Sequence, residues 1–296
     1  MPVFKWSSRW QTSVATIIAL IAFAGNSVLC RLALAEQQMN AAAFTSVRLF
    51  AGALMLSLLL GMQSRKNTGG VRGSWYSGGL LFIYASCFSF AYLYLDTGIG
   101  ALILFAAVQL SMLGMAVLKG ARLHLAELLG IILAFSGLVW LLIPSNERLQ
   151  ISPLGFSLMA VAGIAWGLYS LKGRDSVRPR VDTTFNFLRS LPFLLLLIPY
   201  LSSIKIISSE ALLLALLSGA IASGLGYWIW YIALAGLSAS QAAVVQLLVP
   251  IIAAGGGWVF ANESLDPSFV LSASLVLGGI LLTILAGRQR SLSIRK

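Results

Sequence analysis

Ten apolar runs, divided by short polar or Gly/Pro-marked breaks, occupy most of this 296-residue chain. A helix needs about 20 apolar residues to cross roughly 30 Å of hydrocarbon, so the pattern predicts ten membrane-spanning helices. Their expected positions are residues 12 to 34, 41 to 62, 76 to 95, 99 to 118, 125 to 143, 154 to 172, 184 to 202, 210 to 235, 239 to 260 and 268 to 287. Hydrophobic residues make up 59% of the chain and charged residues 10%, against about 45–50% and about 25% in soluble domains. One globular core cannot hide that much apolar surface from water. The expected class is an all-α integral membrane protein.

Charge placement sets the orientation. The net charge of +11 does not mark a nucleic-acid partner, because the basic residues lie between apolar runs and form no stripe interleaved with exposed aromatics. With the N-terminus inside, the inner segments hold 15 Lys and Arg, the outer loops hold only Arg148 and Lys205, and Arg31, Arg48 and Arg189 fall within spans. By the positive-inside rule both termini are expected in the cytoplasm of a bacterial inner (plasma) membrane protein with multiple passes. Residues 1–11 then form a cytoplasmic segment, 144–153 an extracytoplasmic linker and 288–296 a basic cytoplasmic tail. Ala33-Leu34-Ala35 imitates a signal-peptidase site, but the preceding apolar stretch exceeds the roughly 7–15 residues of a signal h-region, and Arg31 interrupts it. The first run is therefore read as a retained helix.

Several chemistries lack their residues. Cys30 and Cys87 lie inside apolar runs and read as small core hydrophobes. A single histidine, His124, gives no His/Cys cluster for zinc, and no G-x-x-x-x-G-K-[ST] is present to cradle ATP. No cofactor is called for. A membrane-embedded enzyme would need clustered intramembrane acid–base groups, whereas His124 has only Glu127 near it, at a spacing that suits local helix capping.

Sliding the chain against itself by 141 residues aligns Arg31 with Lys172, Arg48 with Arg189, Ala101 with Ala242, Gln109 with Pro250, Arg122 with Glu263 and Gly137 with Gly278. One ungapped offset thus carries the first five spans (12–143) onto the last five (154–287). Five is odd, so the copies must lie oppositely in the membrane. The loops agree: that between spans four and five is basic (Lys119, Arg122), while its counterpart, Asn262 to Asp266, is acidic. An inverted repeat around a midplane site is the geometry of many alternating-access transporters.

Pro250 followed by Ile251-Ile252-Ala253-Ala254 and then Asn262-Glu263-Ser264-Leu265, with Trp166-Gly167, Arg48 and Arg189 in equivalent helices and Gly278-Gly279, sit on this ten-span frame. On these residues the chain resembles, over nearly its whole length, the ten-helix EamA-type exporters of the drug/metabolite transporter superfamily. The first copy departs from that pattern, with Gln109 and Arg122 opposite Pro250 and Glu263, and Ala24-Gly25-Asn26 where Trp-Gly-x-Asn is typical. The resemblance implies export of small polar or amphipathic metabolites, amino acids first and aromatic ones among them. A proton-coupled carrier of drugs or of nucleotide- or sugar-type metabolites is the alternative. The expected partners are membrane lipid and a small-molecule substrate, and a monomer is compatible with this.

Polar and aromatic residues inside spans supply the candidate site. Asn26, Gln109 and Gln246 lie mid-span, where an amide either bonds a neighbouring helix or lines a cavity. Tyr227, Trp228 and Tyr231 in span eight, Trp166 and Tyr169 in span six, and Tyr84 and Phe88 in span three lie away from the span ends where an interfacial belt would put them. These ten are the expected substrate-binding set. Arg48 and Arg189 fall near enough to a surface for snorkelling, which is the leading reading for them and for Arg31, although their equivalent positions also suit gating or anion attraction. Pro250 removes a backbone donor mid-span, and with Gly255-Gly256-Gly257 it predicts a kink or break, serving as hinge or close-packing point. All nine Asp and Glu fall in loops or at span ends, so transport without obligatory proton movement is expected.

Overall fold

The computed structural model describes residues 9–34, 39–62, 72–120, 124–142, 151–174, 176–201, 207–237 and 239–293. Readings that rest on Lys5, Glu36, Arg65, Lys66, Arg122, Glu147, Arg148, Asp175, Lys205, Arg295, Lys296 or most of the 144–153 linker lie outside the described residues. The described residues form helices and no strand. In chain order these are α1 (Arg9–Leu34), α2 (Ala41–Met62), α3 (Trp75–Ala91), α4 (Thr97–Leu118), α5 (Leu125–Leu142) and α6 (Pro153–Arg174). They continue with α7 (Pro179–Leu201), α8 (Ser209–Leu234), α9 in two pieces (Ala239–Gln246 and Leu248–Phe260) and α10 (Pro267–Ser293). Each coincides with a predicted span to within several residues. Eight are long and apolar enough to cross a membrane, while α3, with 17 residues, and the apolar stretch Leu125–Trp140 of α5 are shorter. The molecule is an all-α integral membrane protein.

Local chemistry sets the helix ends. Ser74 and Ser208 cap α3 and α8 by accepting from the backbone N–H of Ser77 and Ala211. Pro153, Pro179 and Pro267 open α6, α7 and α10, where a missing N–H costs nothing. Glu127 accepts the His124 backbone N–H at 2.7 Å and so holds the start of α5. Burial is inverted relative to a soluble protein: Ile17, Ile21, Phe50 and Leu58 are exposed, whereas Asn26, Thr45, Arg48, Ser218 and Ser223 are buried.

Packing repeats under exchange of each helix with the one five places on. Helices α2 and α7, α4 and α9, and α5 and α10 pack against their own counterparts. The α3–α6 contact is matched by α8–α1, α4–α6 by α9–α1, and α3–α7 by α8–α2. This is the packing of two five-helix halves related by a pseudo-twofold axis, and an odd number of helices per half inverts one against the other.

The α5–α10 pair shows how close these helices come. A Cβ on Gly279 would meet the backbone N of Ala134 and O of Gly130, and one on Gly137 would meet Val276 and Leu275 side chains. Small residues permit such approach in lipid, where no hydrophobic force drives helices together. The contact is made by Gly279, because Gly278, which the 141-residue offset aligns with Gly137, has nothing within 4 Å of a notional Cβ. Gly279→Val should cost about 1–3 kcal/mol through overpacking, seen as a lower melting temperature in detergent, while Gly278→Ala should leave it unchanged.

Three helices are irregular. Helix α7 tightens to a 3₁₀ stretch at Leu191–Leu197, beginning beside Pro192. Helix α8 widens to a π-helical stretch at Ser218–Leu225. Helix α9 breaks at Leu247, three residues before Pro250, because a proline ring collides with the carbonyl four residues back, here that of Gln246. Of the following glycines, Gly255 faces open space, while Gly256 lies against Val28 and Gly257 against Thr97 and Glu263. Gly256 and Gly257 therefore serve close packing.

Candidate functional site

Between the halves lies a cavity of about 430 Å³, within the roughly 300–1,000 Å³ of small-ligand pockets. Gln109 of α4, Trp166 and Tyr169 of α6, Tyr227 and Tyr231 of α8 and Gln246 of α9 line it, six of the ten residues expected from the sequence. It reaches one end of the bundle, where Arg174, Ser176 and Pro179 of the α6–α7 junction and Leu234, Ala235 and Leu237 of the α8–α9 junction form its margin. Among the described residues its lining contains no carboxylate. Tyr169 is fixed by donating to Thr183 Oγ1 (3.4 Å), which in turn donates to the Tyr231 hydroxyl (3.2 Å).

Three more expected residues, Asn26, Tyr84 and Phe88, line a second cavity of about 20 Å³ together with Phe23, Leu104, Phe105 and Ala222. Trp166 and Tyr227 border both cavities and form the wall between them, their rings 4.9 Å apart. Trp166 also packs on Tyr84 at 4.9 Å and stacks on Tyr169 at 5.2 Å.

Trp228 corrects the expected set. It faces Arg180, whose guanidinium lies 5.2 Å from its ring, and Trp230 takes its place in the lining. Positions 227, 230 and 231 follow the i, i+3, i+4 spacing of one helix face, and 228 lies about 100° round from 227.

The snorkelling reading of Arg48 is also corrected. Arg48 is 1% exposed and lies in the core of the bundle. Its Nε donates to Ser223 Oγ (3.3 Å) and Nη2 to the Tyr84 hydroxyl (3.1 Å), with the guanidinium 4.7 Å from the Phe88 ring centre and 5.1 Å from that of Tyr84. Asn26 donates to the same Tyr84 oxygen at 3.5 Å and accepts from Ser218 at 2.6 Å. Ser218 and Ser223 reach this cluster together because they are five residues apart in a π-helical stretch, where i and i+5 stand one above the other. Arg189, the sequence counterpart of Arg48, is only half-buried: it donates to the Arg72 carbonyl and lies 5.9 Å from the Trp75 ring. The two arginines therefore do different work.

Arg31 is partly exposed, and its guanidinium is held by carboxylates. At the bundle end opposite the larger cavity it bridges both halves, with Nη2 3.1 Å from Asp96 in the α3–α4 turn and Nε 3.1 Å from Glu263 in the α9–α10 loop. Its Nη1 donates to the Tyr92 carbonyl at 3.1 Å. Glu263 additionally accepts the Thr97 backbone N–H (2.9 Å) and hydroxyl (3.0 Å), and Asn262 takes a positive φ of 53° to end α9 and aim that loop. Sequence reasoning missed this cluster as a functional element.

Comparison with known proteins agrees with this architecture. Residues 153–285, covering α6 to most of α10, match the EamA-like transporter family. An uncharacterized Pseudomonas aeruginosa protein is 47% identical over 279 residues, 94% of this chain and 96% of its own length. A protein of Escherichia coli named a probable amino-acid metabolite efflux pump is 24% identical over 209 residues, 66% of this chain and 70% of its own. A crystal structure with 18% sequence identity superposes with a TM-score of 0.65, covering 94% of this chain and 98% of that one, which shows a shared fold. Inverted five-helix packing, the cavity between the halves and these matches lead to one statement of kinship: the chain belongs to the EamA-like transporter family.

Proposed function

We propose that the chain is a secondary exporter of small amphipathic metabolites, amino acids first and aromatic ones among them. It works by alternating access of its two halves and runs downhill as a uniporter. The observation that carries this reading is the cavity of about 430 Å³ between the halves, walled by rings and amides, free of carboxylates among the described residues and margined by the α6–α7 and α8–α9 junctions at one end. The name of the Escherichia coli relative supports the substrate class. Lys172, Arg174, Arg178 and Arg180 crowd the cavity's end of the bundle, so by the positive-inside rule that end faces the cytoplasm and both termini lie there too. The Arg31 cluster then closes the extracytoplasmic end, and this conformation is the one that loads substrate from inside.

Proteoliposomes containing the purified chain should show counterflow of amino acids, aromatic ones fastest, in a panel that includes nucleosides and sugars. With no carboxylate lining the cavity among the described residues, an imposed pH gradient should not concentrate substrate above equilibrium. Accumulation abolished by a protonophore would replace the uniporter with a proton-coupled carrier. Counterflow confined to nucleosides or sugars would move the substrate class.

A further inference from the structure

We propose that Arg48 is the carboxylate-recognition residue of the transport site, so that the substrate class is amphipathic carboxylates whether or not they carry an amine. The proposal deepens the export reading and rests on it. A buried cation in a membrane protein is expected to be paired, because an isolated charge far from water is costly. Arg48 is fully buried, yet no carboxylate lies within ion-pair distance of it among the described residues. Its partners are the neutral oxygens of Ser223 and Tyr84 and two ring faces, and its Nη1 is buried with no hydrogen-bond partner. A guanidinium held by Nε and Nη2 keeps the charged Nη1 donor unused, and an anionic oxygen such as that of a carboxylate is the acceptor that would satisfy it.

The surroundings give that anion a place and a body. Both rings against which the guanidinium lies, Tyr84 and Phe88, line the smaller cavity, whose volume of about 20 Å³ holds little more than a water. The wall separating it from the larger cavity is two side chains, Trp166 and Tyr227. A ligand whose ring stacks in the larger cavity brings its carboxylate to Arg48 when these two side chains turn aside. Among the described residues no carboxylate lines either cavity to receive an ammonium. Recognition therefore falls on the acid group, and the amine is dispensable.

The test uses phenylalanine, 3-phenylpropionate, phenylalaninamide and phenethylamine as probes of the full-length protein. Thermal stabilisation in detergent reads binding, and inhibition of phenylalanine counterflow in proteoliposomes reads transport. Phenylalanine and 3-phenylpropionate should act at concentrations within a few-fold of each other, and the two compounds lacking a carboxylate at least about tenfold more weakly. Arg48→Gln should remove that preference, and Arg48→Lys, which keeps the charge without the guanidinium, should weaken it. The comparison on the unsubstituted protein needs no variant, so a misfolded Arg48→Gln leaves the proposal open to failure. Equal potency of phenethylamine and 3-phenylpropionate, or a folded Arg48→Gln that still prefers carboxylates, would overturn it. Counterflow without carboxylate preference keeps the export reading and removes the role of Arg48. Stabilisation by carboxylates that Arg48→Gln abolishes, with no counterflow of any probe, keeps the Arg48 site and removes the export reading. Neither binding nor counterflow removes both.

Discussion

Arg31→Ala should release the end of the bundle that this side chain holds shut, raising its accessibility about tenfold or more. One guanidinium of the first half joins a carboxylate of its own half, Asp96, to one of the other half, Glu263. Breaking a fully buried ion pair costs about 3–5 kcal/mol. Here the Arg31 side chain is 27% exposed and Asp96 45%, so solvent screening reduces the loss to about 1–2 kcal/mol. That still moves a two-state equilibrium about tenfold. A cysteine placed at Ala254, which lies beside Asp96 and Glu263, reports the change in a chain with Cys30 and Cys87 replaced. Its labelling by an impermeant maleimide should accelerate about tenfold in the Arg31→Ala background; an unchanged rate would show that the cluster does not hold the end closed.

The same cluster has a pH dependence whose sign is not that of a simple salt bridge. Burial and the charge of Asp96 raise the Glu263 carboxyl above the usual range, against the opposing pull of Thr97 and Arg31, because two carboxylates share one guanidinium. Once the end opens, Glu263 stands in water and titrates normally. The closed state therefore binds more protons between the ordinary value and the raised one, so closure is favoured below that window and weakens as pH rises through the raised value. Labelling at position 254, normalised to a solvent-exposed control cysteine, should slow as pH falls through it, and Glu263→Gln should remove the dependence.

The Arg31 cluster has no counterpart in the sequence of the other half. The 141-residue offset places Lys172, Leu237 and Arg122 where Arg31, Asp96 and the partner Glu263 stand. Two cations and a leucine cannot form an ionic clasp, and Leu237 lines the larger cavity. The opposite polarity of the two loops was legible as a topology signal. That it also made a clasp was not, because Arg31 lies 65 residues from Asp96 and 232 from Glu263, and only the fold brings them together.

Other parts of the site were hidden for different reasons. The span pattern gave the helices and their inversion because lipid leaves the backbone few alternatives. Distance from a span end was a poor guide to Arg48, since it takes no account of polar partners inside the bundle. Ser218 and Ser223 escaped notice because 100° per residue sets them about 140° apart on an α-helix, and only the π-helical stretch aligns them. Trp230 carried a usable signal, its spacing from Tyr227 and Tyr231, which marks one face of α8 and excludes Trp228.

Trp166→Ala should lower kcat/KM for aromatic substrates at least about tenfold and for aliphatic ones much less. Trp166 packs against Tyr84, Tyr169 and Tyr227 and forms part of the wall between the two cavities. Aromatic pairs contribute about 0.5–1.5 kcal/mol each beyond area burial, so losing the stacking surface alone approaches a tenfold effect. Truncation of a core Trp to Ala typically costs about 3–5 kcal/mol, and Trp166, which borders open space on two sides, should lose less and remain folded. Trp166→Phe keeps a ring and should recover most of the activity. Gln246→Ala, which removes a lining amide of the larger cavity, should weaken all substrates by similar factors. If both alanine variants transport every accepted substrate at unchanged rates, the cavity is not the transport site. If Trp166→Ala slows aromatic and aliphatic substrates equally while its melting temperature falls, the ring supports the helices and does not stack on the cargo.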